Sequence, residues 1–167
     1  MGYAVRHIVN TDVDTFWRVY FDLEFARAVV KEFGNMGDFK IIDDHVDEQG
    51  VRHRRIEVWS NVELPAFAQK LIGNGAYTEI GQWDSKLKKY TAECVPQLNA
   101  DKFSSRFEIS AHPLPESRCE REIHMENTIK MFGIGGMVTS VLECVQRDTH
   151  AKSALFLNAW LEKLQRL

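Results

Sequence analysis

The apolar positions of this chain change period twice, which divides it into three regions. Residues 4–9 are rich in β-branched side chains, and Asn10-Thr11-Asp12 offers capping groups just before an aromatic run, so a short strand hands over to a helix. Val13, Phe16, Val19 and Tyr20 recur at helical spacing. Asp22 then supplies a second N-cap before Phe25, Val29, Val30 and Phe33, with Gly34 as the C-terminal stop. From Asp38 the period becomes two, and strand-like runs recur at about 38–48, 51–62, 77–84, 88–96, 101–112 and 118–130. Turn signals separate most of them, at Glu48-Gln49-Gly50, Asp84-Ser85, Asn99-Ala100-Asp101 and Pro113-Leu114-Pro115. Beyond the glycine-rich stretch 133–136 the helical period returns through Val138, Val141, Leu142, Val145, Phe156, Ala159 and Trp160, and one long helix can run to the C-terminus.

Short connections make the strands an antiparallel meander. Phe103, Ser105, Phe107, Ile109 and Ala111 line one face of the fifth run; Cys119, Arg121, Ile123, Met125 and Asn127 share a face of the sixth. One face is wet and one covered, and the terminal helix is the only element large enough to cover it. The fold class is therefore α+β, in a single domain over residues 1–167.

This order of elements resembles the START and Bet v 1-like (SRPBCC, helix-grip) superfamily over nearly the whole chain. The stretch carrying Pro65, Gly73, Glu79, Trp83-Asp84 and Tyr90 is also similar to PRELI-like phospholipid-transfer domains, although Tyr20-Phe21-Asp22 departs from that family's Tyr-Pro-Asn. The resemblance implies a seven-stranded antiparallel sheet wrapped around the C-terminal helix, with a cavity between them for a lipid, sterol, polyketide or other apolar molecule. It makes Tyr90, Phe103, Phe107, Ile109, Arg121, Ile123 and Met125 on the strands, and Val145, Thr149, Lys152 and Phe156 on the helix, the expected lining. Side chains filling the same space is the alternative.

Composition narrows the function classes. A net charge of −3 and a pI near 6.1 argue against nucleic acid. The basic run Arg52-His53-Arg54-Arg55 lies in a strand, where alternation splits it between faces and makes it a solvated strand. Cys94, Cys119 and Cys144 are odd in number, with no Cys-x-x-Cys pair, and are expected to be buried free thiols. Without a cationic, apolar leader they point to the cytoplasm. No apolar run reaches the roughly 18 residues of a membrane span. Met1-Gly2 is not followed by the Ser or Thr of a myristoylation signal, since Arg6 stands there.

Two segments are candidate gates. Residues 64–75 hold a short amphipathic helix with Phe67, Leu71 and Ile72 on one side; residues 131–137 hold Phe132, Ile134 and Met137 among glycines. Each either lids the cavity and touches a membrane, or packs onto the sheet. The glycines at 133–136 lack the βαβ context of a dinucleotide site and the Gly-Lys-Ser/Thr of a P-loop. The six histidines have no metal-binding spacing, His124 lies with Glu122 and Glu126 on the wet face, and no Gly-x-Ser-x-Gly elbow occurs, so neither metal nor cofactor is expected.

The expected function is binding, transfer or sensing of a hydrophobic ligand. An aromatase/cyclase-type enzyme using Tyr90, Arg121 and Lys152 is the alternative, and a protein-interaction module around Trp59 and Trp83 the third class. If Arg121 and Lys152 both face the interior without acids beside them, the ligand should be anionic, since a bare buried cation costs several kcal/mol.

Overall fold

The computed structural model describes residues 2–33, 37–60, 63–73 and 75–167, leaving Gly34 outside the described residues. Strand β1 (Gly2–Val9) leads to helices α1 (Val13–Tyr20) and α2 (Leu23–Phe33). Next come β2 (Asp38–Val46), β3 (Val51–Trp59), α3 (Ala66–Ile72), β4 (Tyr77–Asp84), β5 (Lys89–Pro96), β6 (Phe103–Leu114), β7 (Arg118–Ile129) and α4 (Gly135–Gln165). The seven strands form one antiparallel sheet ordered β1-β7-β6-β5-β4-β3-β2, so α1 and α2 carry the chain from one sheet edge to the other.

Both expected N-caps form. Asp12 Oδ1 accepts from Thr15 N at 2.9 Å, and Asp22 Oδ1 accepts from Phe25 N at 2.8 Å. α1 thereby turns Phe16, Trp17 and Val19 into the main core, against Val9, Tyr90, Ile109, Cys119 and Ile123. A second, smaller core at the far end joins Leu71 of α3, Phe103 of β6 and Val138 of α4.

Strand parity has one interruption. The β2–β3 register slips between Ile41 and Asp43, making Ile42 the extra residue of a bulge. Before it Phe39 and Ile41 oppose Val58 and Ile56; after it Asp44 opposes Arg54. Asp44 therefore faces the concave side, gripping Arg52 at 2.6 and 2.7 Å and lying 3.8 Å from Arg54 Nε. The basic run alternates as expected, but of its two inward residues Arg54 is buried rather than solvated.

The terminal helix is rotated relative to expectation. Its buried positions are Val138, Thr139, Ala154, Leu157 and Leu161, with Gln146, His150 and Ser153 half-buried between them, while Ala159 is exposed. Polar residues occupy the middle of the seam, so apolar spacing alone gave the wrong phase. Lys152 falls on the outer side, exposed, with Nζ 2.6 Å from Asp148. Cys144 is likewise exposed, whereas Cys119 is buried and Cys94 half-buried. Conversely, Glu122 on the outer sheet face is covered, held at 2.8 Å by Arg6 and flanked by His112 and His124.

The phase is testable on two leucines separated by one residue. Leu157→Ala should lower the unfolding free energy by about 2–5 kcal/mol, whereas Leu155→Ala, on the exposed side, should change it by less than about 0.5 kcal/mol, as read by urea denaturation.

Candidate functional site

α4 makes its closest approach over β1 and β7 and touches α2, leaving the concave face of β2–β5 beyond its axis. That face carries Arg52, Arg54, Ile56 and Val58 from β3, Tyr77, Glu79, Gly81 and Trp83 from β4, and Tyr90, Ala92 and Cys94 from β5. Tyr20, Tyr77, Glu79 and Cys94 retain partial solvent access, yet desolvation is the leading cause of the raised pKa of each. Half-buried on the concave face of the sheet, with Tyr20 of α1 packed beside Tyr90, these groups outline a recess.

Glu79 is the centre of this recess. Tyr90 Oη donates to Glu79 Oε1 at 2.6 Å, which partly offsets the desolvation that raises the carboxyl's pKa, and the nearby Arg54 acts in the same direction. The contact depends on Gly81. A Cβ there would fall 1.9 Å from Tyr90 Oη, so only glycine lets the tyrosine ring cross β4 to reach the carboxylate. Tyr20, Phe21 and Phe107 hold the ring, with centroids 5.6, 5.7 and 6.0 Å away. At the α1–α2 junction Trp17, Phe21, Arg52 and Trp83 border an open depression of about 430 Å³.

A second polar cluster lies under α4. Arg121 is buried without a carboxylate in hydrogen-bonding range among the described residues. Nη1 donates to Ser153 Oγ at 3.1 Å, and Nη2 to the His150 carbonyl at 2.9 Å and to His7 Nδ1 at 3.2 Å. Nε and His150 Nε2 have no partner. Burial lowers Arg121 to about 10; burial first, then Arg121's charge, lowers His7 and brings His150 to about 4. One turn earlier, Gln146 accepts from Tyr3 Oη at 3.1 Å and from Asn127 Nδ2 at 2.8 Å, while Ser105 Oγ donates to Asn127 Oδ1 at 2.8 Å.

Of the expected lining, Ile109, Ile123 and Met125 lie in the main core, Phe103 in the second core, and Tyr90 and Phe107 beside the recess. Val145 and Thr149 are half-buried on α4, where Thr149 Oγ1 donates to the Val145 carbonyl at 2.9 Å; Phe156 stacks on Phe25 at 5.9 Å. Lys152 does not join Arg121, so the paired cations that would have called for an anionic ligand are not assembled. The segments expected as gates meet at the end away from α1. Leu71 is buried and Phe67 half-buried in the second core, and Asn99 Nδ2 donates to the Leu71 carbonyl at 2.6 Å. Phe132 is fully exposed, Met137 exposed and Ile134 half-buried; the side chain of Ile72 lies outside the described residues. Trp83 packs 4.1 Å from Trp17, and Trp59 is 37% exposed. Among the described residues no three His, Cys, Asp or Glu converge for a metal.

Sequence reasoning missed Tyr20, Arg54, Tyr77, Glu79 and Cys94 as recess residues. The available signal was parity. Glu79 stands two residues from both Tyr77 and Gly81, which puts all three on one strand face.

These features define a helix-grip domain, and the comparisons agree. The START superfamily protein from Mycobacterium smegmatis superposes with a TM-score of 0.64 at 14% identity, covering 98% of both chains. Norcoclaurine synthase from Thalictrum flavum gives 0.64 at 15% over 97% of this chain and 88% of that one. Zhui aromatase/cyclase from Streptomyces sp. R1128 gives 0.63 at 14% over 98% and 95%. Residues 4–161 match the family described as protein of unknown function (DUF2505), and the chain belongs to that family. No curated protein matches it.

Two outcomes test this geometry. Gly81→Ala should displace Tyr90 and destabilise by about 1–3 kcal/mol, with the near-ultraviolet circular dichroism altered. The histidine pKa values are lowered on folding, so between pH 6.5 and about 4 the unfolded chain binds more protons and stability is lost as the pH drops. His150→Gln should make that acid limb shallower in pH-dependent thermal melts, while leaving stability above pH 7 less affected.

Proposed function

We propose that this domain binds a hydrophobic small molecule or lipid in the recess on the concave face of β2–β5, and that it acts as a carrier or sensor rather than an enzyme. The observation carrying the reading is a concave wall whose side chains are desolvated yet still reachable, where an apolar body is favoured at about 25 cal/mol per Å² buried. Likeness to START-superfamily and aromatase/cyclase folds supports it by analogy alone. Phe132 and Met137, exposed beside the α3 segment, suit a transient contact with a membrane during ligand exchange. Free thiols at Cys94, Cys119 and Cys144 suit a reducing, cytoplasmic setting.

The alternative of a cyclase using Tyr90, Arg121 and Lys152 draws less support. Lys152 points to solvent, and the Tyr90 hydroxyl is already committed to Glu79.

The test is native mass spectrometry of the purified protein incubated with a total lipid extract. A defined co-purifying mass, lost when Ala92→Trp fills the recess of a still-folded protein, is the expected result. Adduct-free protein throughout would overturn the carrier reading.

A further inference from the structure

Resting on that reading of the recess, we infer that the polar end of the ligand is an uncharged hydroxyl group, received by Glu79 together with the hydroxyls of Tyr20 and Tyr77. Glu79 Oε1 is taken by Tyr90, but Oε2 has no protein partner among the described residues. The hydroxyls of Tyr20 and Tyr77 are equally unpartnered, and neither is a sealed buried atom, so both remain reachable. Each lies close enough to Glu79 for the carboxylate charge to act on its ionisation, and Tyr20 acts on Tyr77. Tyr77 and Glu79 share one face of β4 beside Val58 and Ile56, and the Tyr20 ring lies 5.6 Å from that of Tyr90, whose hydroxyl reaches Glu79, so the three unmet polar groups border the same part of the concave face.

Such a cluster selects its ligand by complementarity. Desolvated polar groups are costly unless paired, so a ligand that satisfies them gains over one that merely fills the space. A hydroxyl both donates and accepts: it serves Glu79 whether the carboxyl is ionised or protonated, and it serves a phenolic hydroxyl in either sense. A carboxylate or phosphate would face the charge of Glu79 where that group is ionised, and where it is protonated would itself bring an unpaired charge into a desolvated site. Of the two nearby guanidiniums, Arg121 is engaged by His7, His150 and Ser153, and Arg54, whose Nε has no hydrogen-bond partner among the described residues, has the carboxylate of Asp44 3.8 Å away as counter-charge. An ammonium group would require Glu79 to be ionised in a desolvated site.

The experiment is an NMR titration with three probes of matched body, para-butylphenol, butylbenzene and para-butylbenzoate. The phenol should bind about ten-fold more tightly than either of the others. In Glu79→Leu/Tyr90→Phe, which removes the carboxylate without orphaning the tyrosine hydroxyl, the phenol should lose most of its advantage over butylbenzene while butylbenzene is unchanged. Equal binding of phenol and butylbenzene, tighter binding of the benzoate, or a phenol advantage undiminished in the double variant would overturn the hydroxyl assignment and leave the recess reading standing. Failure of all three probes to bind the folded protein would overturn both.

Discussion

A carboxylate on the covered side of a sheet has to be compensated, and much of the concave face is arranged around Glu79. Its hydrogen bond from Tyr90 exists only because Gly81 leaves the tyrosine ring room to cross β4. The ring is positioned in turn by Tyr20 and Phe21, which the capped α1 brings over the sheet. The charge of Arg54 favours the ionised carboxyl, and Arg54 is itself tolerable in a buried position because Asp44 stands across from it. Asp44 faces that way because β2 carries a bulge at Ile42. A backbone irregularity at the sheet edge is thus linked to the chemistry of its centre.

The terminal helix shows a different balance. Its two ends are seated by apolar contacts, Val138 with Leu71 and Phe103 at one and Leu157 with Leu161 at the other. Between them the seam is polar: Gln146 with Tyr3 and Asn127, then His150 and Ser153 with Arg121. Apolar contacts hold the helix down without choosing one rotation, whereas the hydrogen bonds are met only in one seating. Neutral partners around a buried guanidinium also make this interface sensitive to acid, because a proton on His7 or His150 adds a like charge beside Arg121.

Together these arrangements separate three environments inside one small domain: two dry apolar cores, a closed polar seam and a reachable recess with unmet hydrogen-bonding groups. On the proposed reading, ligand selectivity belongs to the third. The cores explain why residues chosen for apolar character, such as Ile123 and Phe103, serve packing. The recess holds tyrosines and a glutamate that an apolar lining would not contain.

Much of the fold was legible in the order of residues. Asp12 and Asp22 marked helix starts because capping is local, and the alternation in β6 and β7 assigned faces because successive strand side chains point oppositely. The antiparallel sheet and its long covering helix follow from those local signals, and Arg121 was recognised as inward-facing for the same reason, whereas Tyr90 was named through the family resemblance. Tertiary structure decided what periodicity does not encode. The rotation of α4, which sends Lys152 to Asp148, depends on partners more than a hundred residues away, such as Tyr3 for Gln146. The inward turn of Asp44 depends on a bulge that reverses parity without a glycine or proline to announce it. The role of Glu79 depends on a tyrosine from the next strand crossing a glycine two residues away. Hydrophobic pattern records which side chains avoid water; which polar groups meet inside is set by distances that exist only once the chain has closed on itself.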